Sequence, residues 1–271
     1  HPRGAHHPYF PPPRADRKFF EGMFPDDAEL ANSLYSLNIV LKKRPPDELL
    51  EKIIDLYDEV IAYLDSTMKW FWEELEKRGL LKNTIVLISA DHGESFYEHG
   101  TGLHHSSLYQ EEIHLPLIVL WAGRVSPGLR LGGSFSALDV APSLLDAAGM
   151  PQPEEMPGIS FIDYLTGEKK IPENKTAIAE DAWKGWRDII SAQCFPWKII
   201  ARITSGKIAE VEIYNLAEDP EEEHNLVSET SSRGEVKRMI EEIRAYIKRY
   251  PLSPASEKVV KPKRSKVESP R

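Results

Sequence analysis

Three residues that can bind a divalent cation, Asp91-His92-Gly93, directly follow an almost continuously apolar stretch. Asp91 offers a carboxylate and His92 an imidazole, and Gly93 lets the backbone turn sharply or approach a ligand closely. This combination is typical of a metal site. On its own it is a weak signal, because an Asp that caps a turn beside a structural His has the same sequence.

The dozen residues after this motif are rich in side chains of the metal-ligand type. They are Glu94, Glu98, His99, His104 and His105. A solvated loop rarely needs so many such groups, so their density favours a functional site. Another histidine, His6, stands in His6-His7-Pro8-Tyr9, where the alternative interpretation is a flexible His- and Pro-rich end.

The elements before the motif predict how it is positioned. Residues 84–90 are apolar and β-branched without alternation, which indicates a central strand of a parallel sheet covered on both faces. Apolar residues at three- and four-residue steps from Asp47 to Arg78 predict an amphipathic helix that ends at Gly79. In open α/β sheets, ligands bind beyond the carboxyl ends of the strands, where Asp91 and His92 lie.

Several segments resemble, in the same order along the chain, the second half of the sulfatases in the alkaline phosphatase superfamily. The segments are residues 6–9, 90–94, 98–100, 104–112, 113–119, 138–149, 157–160 and 212–226. Blocks in a common order are far more specific than any one of them. The resemblance implies an α/β, alkaline-phosphatase-like sandwich with a mostly parallel central sheet flanked by helices, plus a small C-terminal α+β subdomain.

Domain boundaries are expected near residues 168 and 250. Residues 1–168 would form the C-terminal portion of a sulfatase-like catalytic domain, and residues 169–250 a subdomain with a small antiparallel sheet and a helix. The predicted elements of that subdomain are strands at 176–180, 197–203 and 211–214 and a helix at 233–249. The Lys-, Ser- and Pro-rich segment 251–271 predicts disorder.

The resemblance also implies a role for each candidate residue. Asp91 and His92 would bind a divalent cation, Ca²⁺ in most sulfatases, with Mg²⁺, Mn²⁺ and Zn²⁺ as alternatives for these ligand types. His6 would contact the sulfate group, and His104 would contact it and assist the leaving alcohol as a general acid. Further pocket candidates are His105, His99 and Glu94.

The nucleophile of the sulfatases has no counterpart in these residues. In the family it is a formylglycine made from Cys or Ser in Cys/Ser-x-Pro-x-Arg, whereas the similar Cys194-Phe-Pro-Trp-Lys198 ends in Lys. We therefore expect Cys194 to be a packed structural cysteine, and Asp26-Asp27, which follow no strand pattern, to form a turn or helix cap. The chain is expected to be a fragment that is inactive alone, with the formylglycine in a missing N-terminal part.

Three functions remain open on the sequence alone. The leading hypothesis is metal-dependent hydrolysis of a sulfate ester on a small molecule or saccharide. The second is hydrolysis or transfer of a phosphate or phosphonate ester, which activity on an aryl phosphate would distinguish from activity on an aryl sulfate. The third is a non-enzymatic protein that keeps the fold, which loss of the nucleophile from the complete gene would favour.

Composition argues against other classes of protein. A formal net charge of -9 gives no general attraction to nucleic acid or to anionic membranes. No apolar run approaches membrane-spanning length. The single cysteine excludes an internal disulfide. Compartment and oligomeric state are not indicated by the sequence.

Overall fold

The computed structural model describes residues 5–10, 12, 18, 25–104, 107–181, 189–231 and 233–250. The chain divides into two compact units between Glu173 and Asn174. His105 and the segment 251–271, for which disorder is predicted, lie outside the described residues.

The first unit is built around two long helices that precede the Asp-His-Gly motif. Its elements are α1 (Pro25–Val40), α2 (Asp47–Lys77), β1 (Ile85–Ser89), β2 (Ser95–Phe96), β3 (Gly102–Leu103), α3 (Gln110–Ile113), β4 (Leu117–Trp121), α4 (Val140–Ala147) and α5 (Ile162–Thr166). The helix predicted over Asp47–Arg78 is confirmed, and Gly79 follows it with φ 68°. This left-handed conformation favours glycine, which explains why the helix ends there.

The core of the first unit lies between α1, α2 and the hairpin formed by β2 and β3. Its fully buried side chains include Tyr9, Tyr35, Ile53 and Leu56. Asp26 and Asp27 lie in the first turn of α1, where carboxylates interact favourably with the helix dipole. The structure therefore supports the helix-terminus interpretation of this acidic pair.

The strand before the motif differs from the expectation in its pairing. β1 pairs with β4 in antiparallel register, with Leu87 opposite Val119. Both strands are only partly buried, and Ile118 is 51% exposed. An apolar, β-branched run predicts a strand and its preference for burial, but it carries no information on the direction of the neighbouring strand. Among the described residues, all strand pairs are antiparallel.

A short 3₁₀ turn, Ala137–Asp139, leads directly into α4. The N-cap of this turn is Ser136, whose side chain accepts a hydrogen bond from the Leu138 N–H. The buried Asp139 carboxylate instead accepts from the Ser136 N–H at 3.1 Å and the Ile159 N–H at 2.8 Å. Asp139 therefore has a structural role, at the third position of the turn.

The second unit contains a four-stranded antiparallel sheet covered by a helix. Its elements are β5 (Ala177–Asp181), β6 (Ile189–Cys194), β7 (Trp197–Thr204), β8 (Lys207–Asn215), α6 (Val227–Thr230) and α7 (Gly234–Arg249), with strand order β5-β6-β7-β8. The predicted strands and the α7 helix are confirmed. Sequence reasoning missed β6 because Ser191 and Gln193 interrupt its apolar pattern.

The segment Cys194–Lys198, which resembles the nucleophile motif, contains the turn between β6 and β7. Cys194 is buried in the core of the second unit, which confirms the structural interpretation. Lys198 is fully buried, and its Nζ lies 2.7 Å from a carboxylate oxygen of the equally buried Glu222. Within the described parts of the chain, no helix is both long enough and apolar enough to cross a bilayer.

Candidate functional site

The Asp-His-Gly loop is held in place by the close approach of its backbone to α3. The Gly93 N–H donates a hydrogen bond to the Glu112 carbonyl oxygen at 2.7 Å. A Cβ at Gly93 would lie 2.1 Å from the carbonyl oxygen of Glu111. No side chain fits such a distance, so of the two uses predicted for this glycine, the structure shows the close approach.

A tight hairpin returns the chain from the loop to His104. β2 and β3 pair with Ser95 opposite Leu103, and the Glu98 carboxylate accepts the Phe96 N–H at 2.6 Å. Leu103 has φ 69°, a conformation that is uncommon for a branched side chain and costs about 1–3 kcal/mol. A strained conformation persists only where the surrounding packing holds it. Because Leu103 directly precedes His104, its conformation sets the direction in which His104 leaves the hairpin.

The N-terminal histidine segment is anchored by a buried amide on α1. Asn32 accepts the Tyr9 N–H at 3.0 Å through its Oδ1 and donates from its Nδ2 to the Tyr9 carbonyl at 2.9 Å. The same Nδ2 donates to the Ala28 carbonyl at 2.7 Å, which fixes the amide orientation. Sequence analysis missed Asn32; its only signal was an amide on the face of α1 that carries Ala28, Ala31 and Tyr35.

These elements bring together three of the predicted site residues, His6, His92 and His104. The ring centroids of His92 and His104 are 4.0 Å apart and stacked, and the His6 ring lies edge-on at 4.8 Å from His104 and 5.9 Å from His92. One ring nitrogen from each residue lies within 4.8 Å of the other two. We call these three residues the histidine cluster.

Each ring of the histidine cluster is oriented by an oxygen at its Nδ1. His6 Nδ1 lies 2.6 Å from the His7 carbonyl, and His92 Nδ1 lies 2.8 Å from the Gly93 carbonyl. His104 Nδ1 lies 2.8 Å from the Glu94 carboxylate. A carbonyl or carboxylate oxygen can only accept, so Nδ1 carries the hydrogen, and in the neutral ring Nε2 carries the lone pair.

Glu94 is a buried acidic residue in contact with the histidine cluster. Only 6% of the Glu94 surface is exposed to solvent. Burial first, and then the Glu94 carboxylate, raise the pKa of the hydroxyls of Tyr9, Tyr35 and Tyr57 above their ordinary values. Burial lowers the pKa of His7, against the opposing attraction of Glu94. This pocket candidate therefore orients His104 and sets the electrostatic environment of the surrounding side chains.

The remaining candidates lie in different settings. The side chain of Asp91 is 65% exposed, and its Oδ1 lies 4.0 Å from Nε2 of His92. His99 lies outside the histidine cluster, because its Nδ1 is 2.8 Å from the Glu111 carboxylate and its ring stacks on Tyr109 at 3.6 Å. His105 lies outside the described residues.

Comparison with known protein families decides the assignment. The family model described as Sulfatase matches residues 1–150, more than half of the chain. The chain belongs to the sulfatase family. A second model, N-sulphoglucosamine sulphohydrolase, C-terminal, matches residues 98–249. The resemblance predicted from the sequence blocks is confirmed.

A curated member of the family shows the degree of similarity to an individual protein. Arylsulfatase K of Homo sapiens is 29% identical over 185 residues, which cover 65% of this chain and 34% of the relative. The chain thus spans about a third of the length of the curated relatives it matches.

Solved structures confirm the alkaline-phosphatase-like α/β fold. BT4656, solved with its substrate D-glucosamine-2-N,6-O-disulfate, is 25% identical with a TM-score of 0.60, covering 86% of this chain and 49% of that one. The phosphonate monoester hydrolase of Agrobacterium radiobacter is 20% identical with a TM-score of 0.62, and the match covers 76% of this chain and 43% of the hydrolase. The second likeness concerns the fold alone.

Proposed function

We propose that this sulfatase chain supplies part of an active site that hydrolyses a sulfate ester. The observation that carries the proposal is the convergence of His6, His92 and His104 at the Asp-His-Gly loop. Each ring has its Nδ1 fixed by an oxygen, so each presents a defined nitrogen to a substrate. Such preorganised polar groups stabilise charge that develops on a transferring group.

His104 would act on the leaving oxygen of the ester. An alcohol that leaves as an alkoxide needs a proton, and a positioned imidazole can donate it, typically with a 10²–10⁴-fold effect on rate. The Glu94 carboxylate, 2.8 Å from Nδ1, holds the ring in one orientation. His6, the exposed member of the cluster, would in its protonated form donate a hydrogen bond from Nε2 to a sulfate oxygen.

Asp91 and His92 fit part of the divalent cation site that the family implies. Their Oδ1 and Nε2 atoms lie 4.0 Å apart, close to the spacing of two donors that share one ion. We propose Ca²⁺, the ion that the family resemblance implies; the Asp91 oxygen suits Ca²⁺ or Mg²⁺, and the imidazole suits Mn²⁺ or Zn²⁺ as alternatives. When bound, the cation would polarise the sulfate oxygens.

The nucleophile would be a formylglycine supplied from outside these residues, since no Cys/Ser-x-Pro-x-Arg sequence occurs in the chain. A sulfated saccharide is the substrate class we propose, because BT4656 was solved with a disulfated glucosamine. Phosphate or phosphonate chemistry has less support, because the phosphonate hydrolase shares the fold at only 20% identity.

The test is the hydrolysis of an aryl sulfate, an aryl phosphate and a sulfated glucosamine by the gene product that contains this chain. We expect the sulfates to be preferred, and His104→Ala to lower kcat by about 10²–10⁴-fold. The control is His114→Ala, an exposed histidine outside the cluster. A preference for the phosphate, or full sulfatase activity in His104→Ala, would refute the proposal.

A further inference from the structure

We infer that Tyr9 is a positioning residue of the candidate site. Its hydroxyl donates a hydrogen bond to Oε2 of Glu94 and so fixes the carboxylate that orients His104. The other half of this chain of contacts is the 2.8 Å approach of His104 Nδ1 to Oε1 of Glu94. The hydrogen bonds do not depend on the proposed function, whereas their effect on hydrolysis rests on it.

Two buried polar atoms carry the inference. The Tyr9 hydroxyl and Oε2 of Glu94 are both enclosed, and among the residues that the structure describes neither has a hydrogen-bond partner. Most buried polar groups in proteins are hydrogen-bonded, because an unpaired one loses its hydration without compensation. A hydroxyl supplies a proton and a carboxylate oxygen accepts one. Each atom therefore offers what the other lacks.

The two groups lie on the same side of the core. The rings of Tyr9 and Phe96 have their centroids 6.2 Å apart, and Glu94 stands two positions before Phe96, a spacing that places side chains on one face of an extended backbone. After burial, the Glu94 carboxylate raises the pKa of the Tyr9 hydroxyl by its charge and by hydrogen bonding. It raises the pKa of Tyr35 and Tyr57 by its charge alone. Tyr9 is therefore the tyrosine whose hydroxyl meets this carboxylate.

Tyr9 is held firmly enough to act as a fixed donor. Its backbone N–H and carbonyl are both bonded to the Asn32 side chain. Its ring packs edge-on against the rings of Tyr57 and His7, each with centroids 5.4 Å apart. With the backbone and the ring both fixed, the hydroxyl has little freedom to move away from the carboxylate.

The carboxylate transmits this constraint to the hairpin. A carboxylate bound through one oxygen can still turn about its side-chain torsions, whereas binding through both oxygens fixes its plane. With Oε2 of Glu94 held by Tyr9, Oε1 offers His104 a single direction for its Nδ1–H. Residues supported in this way keep a site in its productive geometry. The N-terminal histidine segment thus helps to set the orientation of His104.

The test compares Tyr9→Phe with Tyr97→Phe in the gene product that contains this chain, labelled with ¹⁵N-histidine. Each change removes the hydroxyl of a buried tyrosine in the same core, but the Tyr97 hydroxyl donates to the Lys43 carbonyl at 3.1 Å. The NMR readout is the Nδ1–H proton of His104, assigned by its loss in His104→Gln. In Tyr9→Phe its exchange with solvent should accelerate at least about 10-fold, because the opened carboxylate no longer holds it. Tyr97→Phe should leave this exchange unchanged.

Enzyme kinetics provide the second readout. Tyr9→Phe should lower kcat for an aryl sulfate by up to about 10²-fold with little change in KM, because a misplaced catalytic group slows the reaction without weakening substrate binding. Tyr97→Phe should keep both constants.

The outcomes separate this inference from the proposed function. Wild-type exchange of the His104 Nδ1–H in Tyr9→Phe would overturn the inference, whatever the activity. In the wild-type protein, the Tyr9 hydroxyl proton should itself be a slowly exchanging resonance, and rapid exchange of that proton would overturn the inference without any variant. If both NMR results are as expected but the wild-type protein hydrolyses no sulfate ester, the hydrogen bonds stand and the proposed function fails.

Discussion

Replacing Asn32 by alanine should release the segment that carries His6. In the folded chain its amide forms two hydrogen bonds with the buried Tyr9 backbone and one with the Ala28 carbonyl. Alanine offers none of these bonds. The backbone N–H and C=O of Tyr9 would then be buried without their partners.

The expected magnitude follows from those two groups. A buried group left without its hydrogen-bond partner costs about 1–3 kcal/mol. Because both groups relax partly toward solvent, we expect the two together to cost roughly 2.8 kcal/mol. This free energy corresponds to about a 100-fold change in the equilibrium constant for opening of the segment. Asn38→Ala is the matched control, because the side chain of this half-buried residue of the same helix donates to the Leu34 carbonyl of its own helix and contacts no Tyr9 backbone group. It should change stability by less than about 0.5 kcal/mol.

The assay is native-state hydrogen exchange of the Tyr9 amide, with the ring resonances of His6 as a second readout. In Asn32→Ala, protection of the Tyr9 amide should fall about 100-fold, and the His6 signals should move toward those of a mobile histidine. Asn38→Ala should leave both unchanged. If the Tyr9 amide in Asn32→Ala were as protected from exchange as in the wild-type protein, the anchor would lie elsewhere and the reasoning would be refuted.

Three further predictions concern the rest of the chain. Gly93→Ala should destabilise the first unit by roughly 3 kcal/mol in urea unfolding, because its Cβ would overlap a backbone oxygen, whereas Gly132→Ala, with open space around it, should be tolerated. Lys198→Met should cost about 3–5 kcal/mol by removing the cationic partner of a buried carboxylate, against less than about 1 kcal/mol for Arg202→Met on the exposed sheet face. Burial raises the pKa of Asp219, but two backbone N–H groups outweigh it and hold that pKa below its ordinary value. Its contribution to stability is therefore present above about pH 4 and lost as the pH falls further. In Asp219→Asn, the free energy of unfolding should depend less on pH in this acidic range.

Local patterns were sufficient to predict many elements of the fold. The periodicity of α2 and its stop at Gly79 are properties of one segment, so the sequence predicts them directly. The direction of β4 beside β1 is different, because it depends on the path of the residues between them. Apolar content does not encode that path.

The candidate site divides in the same way. Asp91, His92 and His104 are close in sequence, so motif and spacing could single them out. Asn32 could not be found by that route, because its role is to bind the backbone of a residue 23 positions away. The partnership of Glu94 with His104 likewise depends on the hairpin between them.

The histidine cluster also has a consequence for how the chain folds. His6 precedes both long helices, and His92 follows them. Bringing such distant residues together is a loop closure whose entropic cost is recovered only when α1 and α2 dock. We therefore expect the cluster to assemble late in folding, and a pair of fluorescent labels beside these two residues should report helix docking as a shortening of their distance.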